Sequence, residues 1–508
     1  MKKSAKLFDK FLTVVEKGGN ALPNPSTLFA LFAILTIIAS SVAYYFNLQA
    51  VHPVTGEVIK VVNLLSENGL KKIFLEMVKN FTNFAPLGIV LVALLGLGIA
   101  EGSGLINSVI RIFVLSSPKS LLTFIIVFTG VLSNMASTVG YVLLIPLAGV
   151  VFLAVKRHPI VGMAAAYAGI SGGYSANLFI GTIDPLLAGL SQEAARIIDP
   201  QYLVNPTSNY YFMFVSTFLI SISGTWVTEK IVEPRLGKYN GNVIPEKIEP
   251  LSFEEKRGVK FTIFTFVALL SLILVGIYPE NGILRGENNG ILNSPIIEGV
   301  VSLLFIVAAL LGIAYGIGSR KFKNDNDVIK SMDSSMKSVS TYLVLVFFAS
   351  QFVSYFNWTN LGLIIAIEGA NFISHLGVGL IPLMIIFILL SGFINLFMGS
   401  ASAKWALMAP IFVPMFMLLG YSPELTQVGF RIGDSVTNVI SPMMSFFALI
   451  IVYFQKYDEK AGIGTIISTM LSYSIVFFVL WTLMLIVWLF FNIPLGPNSG
   501  LYYQMLGV

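Results

Sequence analysis

The sequence predicts an all-α polytopic membrane protein, with nine transmembrane helices and two re-entrant helical hairpins arranged as two inverted repeats. Three observations predict it. The 508-residue chain is 56% hydrophobic and 11% charged, against about 25% charged residues in a soluble domain, and its mean hydropathy is +0.83. Apolar runs long enough to cross a bilayer recur along it. Two further apolar stretches, 119–155 and 377–420, are too long for one helix and are broken midway by small polar residues.

The same composition narrows the function. There is no cysteine, so disulfides and thiolate metal sites are excluded. His52, His158 and His375 are too scattered for a metal centre. The net charge of +5 is a topology signal, and nothing supports nucleic-acid binding. The first apolar run starts near Leu28 after Pro23 and Pro25, without a small-residue cleavage pattern, so no cleavable signal is expected.

Residues 1–27 form a cytoplasmic N-terminal segment. Lys2, Lys3, Lys6, Lys10 and Lys17 alternate there with Phe8, Phe11, Leu12 and Val15 at helical spacing. That pattern fits a helix lying on the membrane surface or a solvated tail. Residues 28–83 hold the first crossing (28–46) and an external loop with amphipathic pieces. Residues 84–238 hold a crossing (84–101), hairpin one (119–155), a broken crossing (160–190) and a crossing (210–228). Residues 239–339 are a polar cytoplasmic linker and two connecting crossings (261–278 and 299–316). Residues 340–508 repeat the earlier order: crossing (340–357), hairpin two (377–420), broken crossing (424–454), crossing (464–492).

Positive charge orients this layout. With the N-terminus inside and nine crossings, 23 of the 31 Lys and Arg fall on the cytoplasmic face and six outside, while Lys404 and Arg431 stay within the membrane. That asymmetry follows the positive-inside tendency. It places the C-terminus outside and fits a bacterial inner membrane. The joints at Ser133–Thr138 and Gly399–Ala403 lack the Pro, Asp and Lys of a solvated loop, which favours hairpins over paired crossings.

Spacing supports the repeat. Pro146 is followed at +13 by Pro159 and at +23 by Gly169; Pro410 is followed at +13 by Pro423 and at +23 by Gly433. Ser175-Ala176-Asn177 then matches Val436-Thr437-Asn438, with three extra residues in the first copy. The charge layout opens hairpin one to the cytoplasm and hairpin two to the outside. Inverted repeats of this kind house substrate and ion sites near mid-membrane in secondary transporters.

The polar residues inside the lipid-length runs are the candidate site. A carboxylate at mid-membrane costs roughly 2.5 kcal/mol or more. Hairpin one ends in Ser133-Asn134-Met135-Ala136-Ser137-Thr138 and hairpin two in Gly399-Ser400-Ala401-Ser402. A Ser or Thr stands where each second arm begins, a natural N-cap. Helix starts there would aim free N–H groups at a carboxylate substrate; alternatively the small residues serve close packing. Asn134, Ser137, Thr138, Asn177, Ser400, Ser402, Trp405 and Asn438 are therefore the substrate candidates, Trp405 as a stacking surface or as packing. Asp184, Asn395 and Asp434 offer oxygens to Na⁺, or a lone Asp carries a proton. The structural alternative for Asp434 is a pair with Arg431, one helical turn away. No catalytic residue and no cofactor beyond a coupling cation, Na⁺ or H⁺, is expected.

At these residues the chain resembles the AbgT family of p-aminobenzoyl-glutamate transporters. The resemblance rests on strings in order along nearly the whole length, among them Gly19-Asn20-Ala21-Leu22-Pro23-Asn24-Pro25, Asn83-Phe84-Ala85-Pro86-Leu87-Gly88, Lys156-Arg157-His158-Pro159, Glu233-Pro234-Arg235-Leu236-Gly237, Phe356-Asn357-Trp358-Thr359-Asn360 and Ala409-Pro410-Ile411-Phe412-Val413-Pro414. It implies a homodimer with nine crossings and two hairpins per subunit. It also implies functional positions at Asp184, Ser402, Trp405, Pro423 and Asp434, and a cation site on Asn395 and Asp434. Lys404 departs from the family pattern, which is apolar there; a buried cation at that position favours an anionic substrate or pairs with Asp434. The function expected is ion-coupled transport of p-aminobenzoyl-glutamate or a related organic anion. The alternatives are proton-driven export of sulfonamide-type antimetabolites and Na⁺-coupled dicarboxylate symport. A remote alternative is an intramembrane aspartyl protease using Asp184 and Asp434, although Arg431 breaks the Gly-x-Gly-Asp string such enzymes carry.

Overall fold

A computed structural model describes residues 23–51, 56–136, 140–241, 243, 250–286, 290 and 294–503. The surface helix expected in the first 26 residues lies almost wholly outside the described residues, and so do Ser137 and Thr138. Helices carry the fold. The described strands, β1 (Gln49–Val51) and β2 (Val58–Lys60), form one short antiparallel pair.

Local chemistry sets the helix starts. α1 (Pro25–Tyr45) begins with Pro at N1 behind Asn24, whose Oδ1 accepts from the Ser26 N–H at 3.0 Å. In the loop that follows, Ser66 caps α2 (Glu67–Thr82). α3 (Ala85–Ser103) then opens the first half of the chain's helical core. Gly104, at φ 89°, turns the chain into α4 (Leu105–Leu115). Hairpin one follows as α5 (Leu122–Ser133) and α6 (Ile145–Ala154), the second arm entered through a π turn at Gly140–Leu144. The first broken crossing is α7 (Pro159–Tyr167) with a π turn at Ala168–Gly172, a non-helical break, and α8 (Ile183–Ala195). α9 (Tyr210–Val227) runs through a π turn into α10 (Glu233–Leu236). There the Arg157 Nε and Nη2 donate to the two Glu233 oxygens at 2.8 and 2.6 Å, and Nη1 donates to Thr123. This fork locks hairpin one to the end of the first half.

The connecting helices are α11 (Phe253–Ile277), opened by a Ser252/Glu255 capping box, α12 (Pro295–Glu298), α13 (Val300–Gly318) and α14 (Asp325–Ser338). The second half comprises α15 (Ser340–Trp358), α16 (Leu361–His375), hairpin two as α17 (Leu380–Asn395) and α18 (Ala401–Leu418), the broken crossing as α19 (Pro423–Asn438) and α20 (Phe447–Gln455), and α21 (Ile463–Phe490).

Among the described residues, seven helices are long and apolar enough to cross a membrane, or nine if each of two bent pairs is one span. This nine differs in membership from the nine expected. Six of the seven coincide with expected crossings, but the seventh, α18, is the second arm of hairpin two. The expected crossings 160–190 and 424–454 are each two helices around a break, and neither is continuous. α4 and α16 were not expected at all. Both are shorter than a bilayer crossing, and the chain bends by 111° between α4 and the first arm of hairpin one. They occupy the same place in each half, between the leading helix and the hairpin, and so extend the correspondence of parts.

The matched glycines of the two halves have a packing reason. A Cβ on Gly130 of α5 would lie 3.0 Å from the Gly169 Cα, and one on Gly433 of α19 would lie 2.9 Å from the Gly392 N of α17. In both halves the first hairpin arm meets the broken helix backbone to backbone, which only glycine permits. Burial then locates the centre. The apolar window of α11 is 6% buried and faces outward, whereas that of α18 is 72% buried. α18 packs against α8 of the first half and α19 of the second.

Candidate functional site

Hairpin two supplies the site's frame. Ser400 caps α18, its Oγ accepting from the Ala403 N–H at 3.4 Å and lying 3.1 Å from the Ser402 Oγ. The helix therefore starts at the joint, as its residue types predict. Ser400, Ala401 and Ser402 line a cavity of about 370 Å³. The cavity is also lined by Tyr141 of hairpin one, Tyr174 and Thr182 of the first break, Tyr342 of α15, Asn438 at the end of α19, and Met444 and Phe446 of the second break. Tyr141 stacks on Phe446 with ring centroids 4.5 Å apart. Its size falls in the lower part of the ~300–1,000 Å³ typical of small-molecule sites. Aromatic walls beside a helix N-terminus can hold a planar ring at one end and an anionic group at the other.

Behind the cavity lie two buried ion pairs. The Asp184 Oδ1 faces the Arg431 Nη2 at 2.8 Å, and the Asp184 Oδ2 accepts from the Gly181 N–H at 2.7 Å. This pair joins α8 of the first half to α19 of the second. With its amide oxygen toward Arg431, Gln427 accepts from Arg431 Nε and Nη2 at 3.1 Å each, and its nitrogen donates to Ser191. Ser191 in turn accepts from the Trp405 Nε1–H at 3.0 Å.

The second pair is Lys404 with Asp434, at 2.5 Å, with side chains 0% and 1% exposed. The Lys404 ammonium also donates to the Asn395 Oδ1. Asn438 Nδ2 donates to the other Asp434 oxygen at 3.1 Å. Asn395 Nδ2 donates to the Asp434 carbonyl, Thr437 Oγ1 and Asn438 Oδ1. The expected alternative of an Asp434–Arg431 pair is therefore corrected: each residue has a different partner from another element.

The same geometry tests the cation site. Na⁺ on Asn395 and Asp434 would need Asn395 Oδ1 and Asp434 Oδ1, and both already accept from Lys404. The other carboxylate oxygen is held by Asn438. The residues present do not fit an added Na⁺.

The remaining candidates separate. Ser400, Ser402 and Asn438 line the cavity. Asn134 is buried at the first tip, donating to the Val131, Ile170 and Gly173 carbonyls, and so ties hairpin one to the first break. Asn177 is buried and turns the break, its Oδ1 accepting from the Phe179 N–H. Trp405 is fully buried against Phe430, with centroids 4.5 Å apart, and does not line the cavity. Pro423 is the first residue of α19, behind the Ser422 cap, whose Oγ accepts from the Leu425 N–H.

Sequence reasoning missed Gln427, Glu424 and the cavity tyrosines. A signal existed for the first two. Glu424, Gln427, Arg431, Asp434 and Asn438 recur at spacings of 3, 4, 3 and 4, a polar stripe along one helix. Glu424 accepts from the Tyr202 hydroxyl at 2.9 Å. The tyrosines come from separate segments and share no sequence pattern.

Comparison with known proteins decides the family. A family model described as "AbgT putative transporter family" matches residues 10–503. The chain belongs to the AbgT family. This AbgT chain is 37% identical over 492 residues to the p-aminobenzoyl-glutamate transport protein of Escherichia coli (strain K12), covering 97% of this chain and 96% of that protein. The crystal structure of the YdaH transporter of Alcanivorax borkumensis, described as having an unusual topology, superposes with a TM-score of 0.90 at 43% identity, over 94% of this chain and all of that one. MtrF of Neisseria gonorrhoeae, described as illuminating a class of antimetabolite efflux pumps, superposes with a TM-score of 0.91 at 50% identity, over 96% of this chain and all of that one. The AbgT chain is thus a multi-span membrane transporter and not an enzyme. The protease alternative falls, and each aspartate already has its own cation.

Proposed function

We propose that this chain is a secondary transporter that carries p-aminobenzoyl-glutamate or a related aromatic organic anion across the bacterial inner membrane, driven by a cation gradient. The observation that carries the reading is the cavity between the two halves, where the start of α18 meets aromatic side chains from both. The N-terminal end of α18 presents Ser402 and free N–H groups to a carboxylate, and Tyr141, Tyr174 and Phe446 suit an aromatic ring. The E. coli relative's name points to the same substrate.

We read the two halves as inverted copies, with hairpins re-entering from opposite faces, the N-terminus inside and the C-terminus outside. The matched order of parts and the paired Gly130–Gly169 and Gly392–Gly433 contacts support equivalence; the orientation rests on the lysine and arginine distribution. On this reading alternating access is motion of one half against the other around the cavity. The assembly proposed is a homodimer in lipid.

A second reading, export of antimetabolites of sulfonamide type, is favoured by the 50% identity to MtrF. Proteoliposomes separate the two. Labelled p-aminobenzoyl-glutamate is expected to accumulate when a driving cation gradient is imposed inward, with Na⁺ and pH gradients set separately to identify the ion. Accumulation of a labelled sulfonamide alone, under a pH gradient alone, would select the second reading.

A further inference from the structure

Lys404 stands where local electrostatics disfavour it. It is the fourth residue of α18, in the first turn, where the helix dipole opposes a cation. It is also fully buried. What holds it is a set of oxygens. Asn395 Oδ1 from the first hairpin arm and Asp434 Oδ1 from the broken helix both accept from its ammonium. The Phe430 ring lies 5.9 Å away.

An ammonium held by a carboxylate and an amide oxygen has the charge and partners of a bound monovalent cation. We infer that Lys404 is a tethered cation filling the position a free Na⁺ would take between hairpin two and the second broken helix, so that this chain binds no Na⁺ there. The ammonium is covalently tethered to α18 and cannot leave for either aqueous phase. Coupling at this position is therefore independent of the Na⁺ gradient, a consequence that rests on the transporter reading. The binding claim stands without it.

The Asn395 and Asp434 oxygens remain a cation site once the tether is removed. Lys404→Met leaves a buried carboxylate without its partner, and free Na⁺ is the natural replacement. Lys404→Met with Asp434→Asn removes both charges and with them the need for a cation.

The test is the melting temperature of the purified full-length protein in saturating NaCl against equimolar choline chloride. The wild type is expected to show no Na⁺-specific shift. Lys404→Met is expected to melt lower in choline and to recover with NaCl by on the order of 3 °C. The double variant is expected to show no Na⁺ response. A Na⁺-specific rise in the wild type overturns the inference, as does a folded Lys404→Met that ignores Na⁺. If Lys404→Met does not fold, the wild-type curves still decide. None of these curves depends on uptake. A failure to transport p-aminobenzoyl-glutamate would remove the proposed substrate and leave them unchanged.

Discussion

Asp434→Asn is expected to abolish gradient-driven uptake and to destabilise the protein by about 3–5 kcal/mol, the usual consequence of removing one member of a buried ion pair. The variant keeps the size of the side chain and its contact with Asn438, but it strands the Lys404 ammonium in a fully buried site. Its only remaining strong acceptor is the Asn395 Oδ1. Replacing both charges, Lys404→Met with Asp434→Leu, is expected to recover most of the lost stability, because a well-packed apolar pair of similar volume is often neutral or better. Uptake is not expected to return, since α17, α18 and α19 then meet without the polar bond that ties them beside the cavity. Thermal unfolding and uptake measured on one preparation of each variant distinguish the two effects. Normal uptake by the double variant would show that the pair is purely structural.

The second large effect is expected at Arg431. This residue joins the halves, reaching Asp184 at 2.8 Å and Gln427 through the same guanidinium. Arg431→Met leaves Asp184 with only the Gly181 N–H and is expected to cost about 3–5 kcal/mol, together with loss of uptake. Arg431→Lys keeps the charge and loses the planar fork. It is expected to fold and to transport at least tenfold more slowly, because an ammonium cannot satisfy the Asp184 carboxylate and the Gln427 carbonyl in the same geometry. Wild-type rates for Arg431→Lys would remove the fork from the mechanism.

Much of this arrangement was legible in the sequence because lipid makes polar residues conspicuous. Gly399–Ser402, Asp184 and Asp434 stand out as interruptions of apolar runs, and the matched Gly169 and Gly433 report packing that the structure shows as backbone contact. Lys404 is conspicuous as a charge inside an apolar run, and pairing with Asp434 is one of the two roles the sequence leaves open for it. The partner of Arg431 was not legible. At i, i+3 on one helix, Arg431 and Asp434 are natural neighbours, yet each finds a stronger partner on another element, 247 residues away for Asp184 and 30 for Lys404. Such choices are tertiary and leave no local periodicity. Helices α4 and α16 were missed because a length rule for crossings passes over helices of 11 and 15 residues. Trp405 read equally as a stacking or a packing residue; its fully buried indole, bound to Ser191, lies outside the cavity.

The most direct test of the account is to fill the cavity without touching either ion pair. Ser402 lines the cavity at the start of α18 and is only partly buried, so Ser402→Phe projects a ring into the space assigned to the substrate. Equilibrium binding of labelled p-aminobenzoyl-glutamate to purified protein is expected to be saturable in the wild type and reduced at least a hundredfold in Ser402→Phe, with the melting temperature unchanged. Wild-type affinity in a Ser402→Phe protein that folds normally would contradict it, because the substrate would then bind elsewhere.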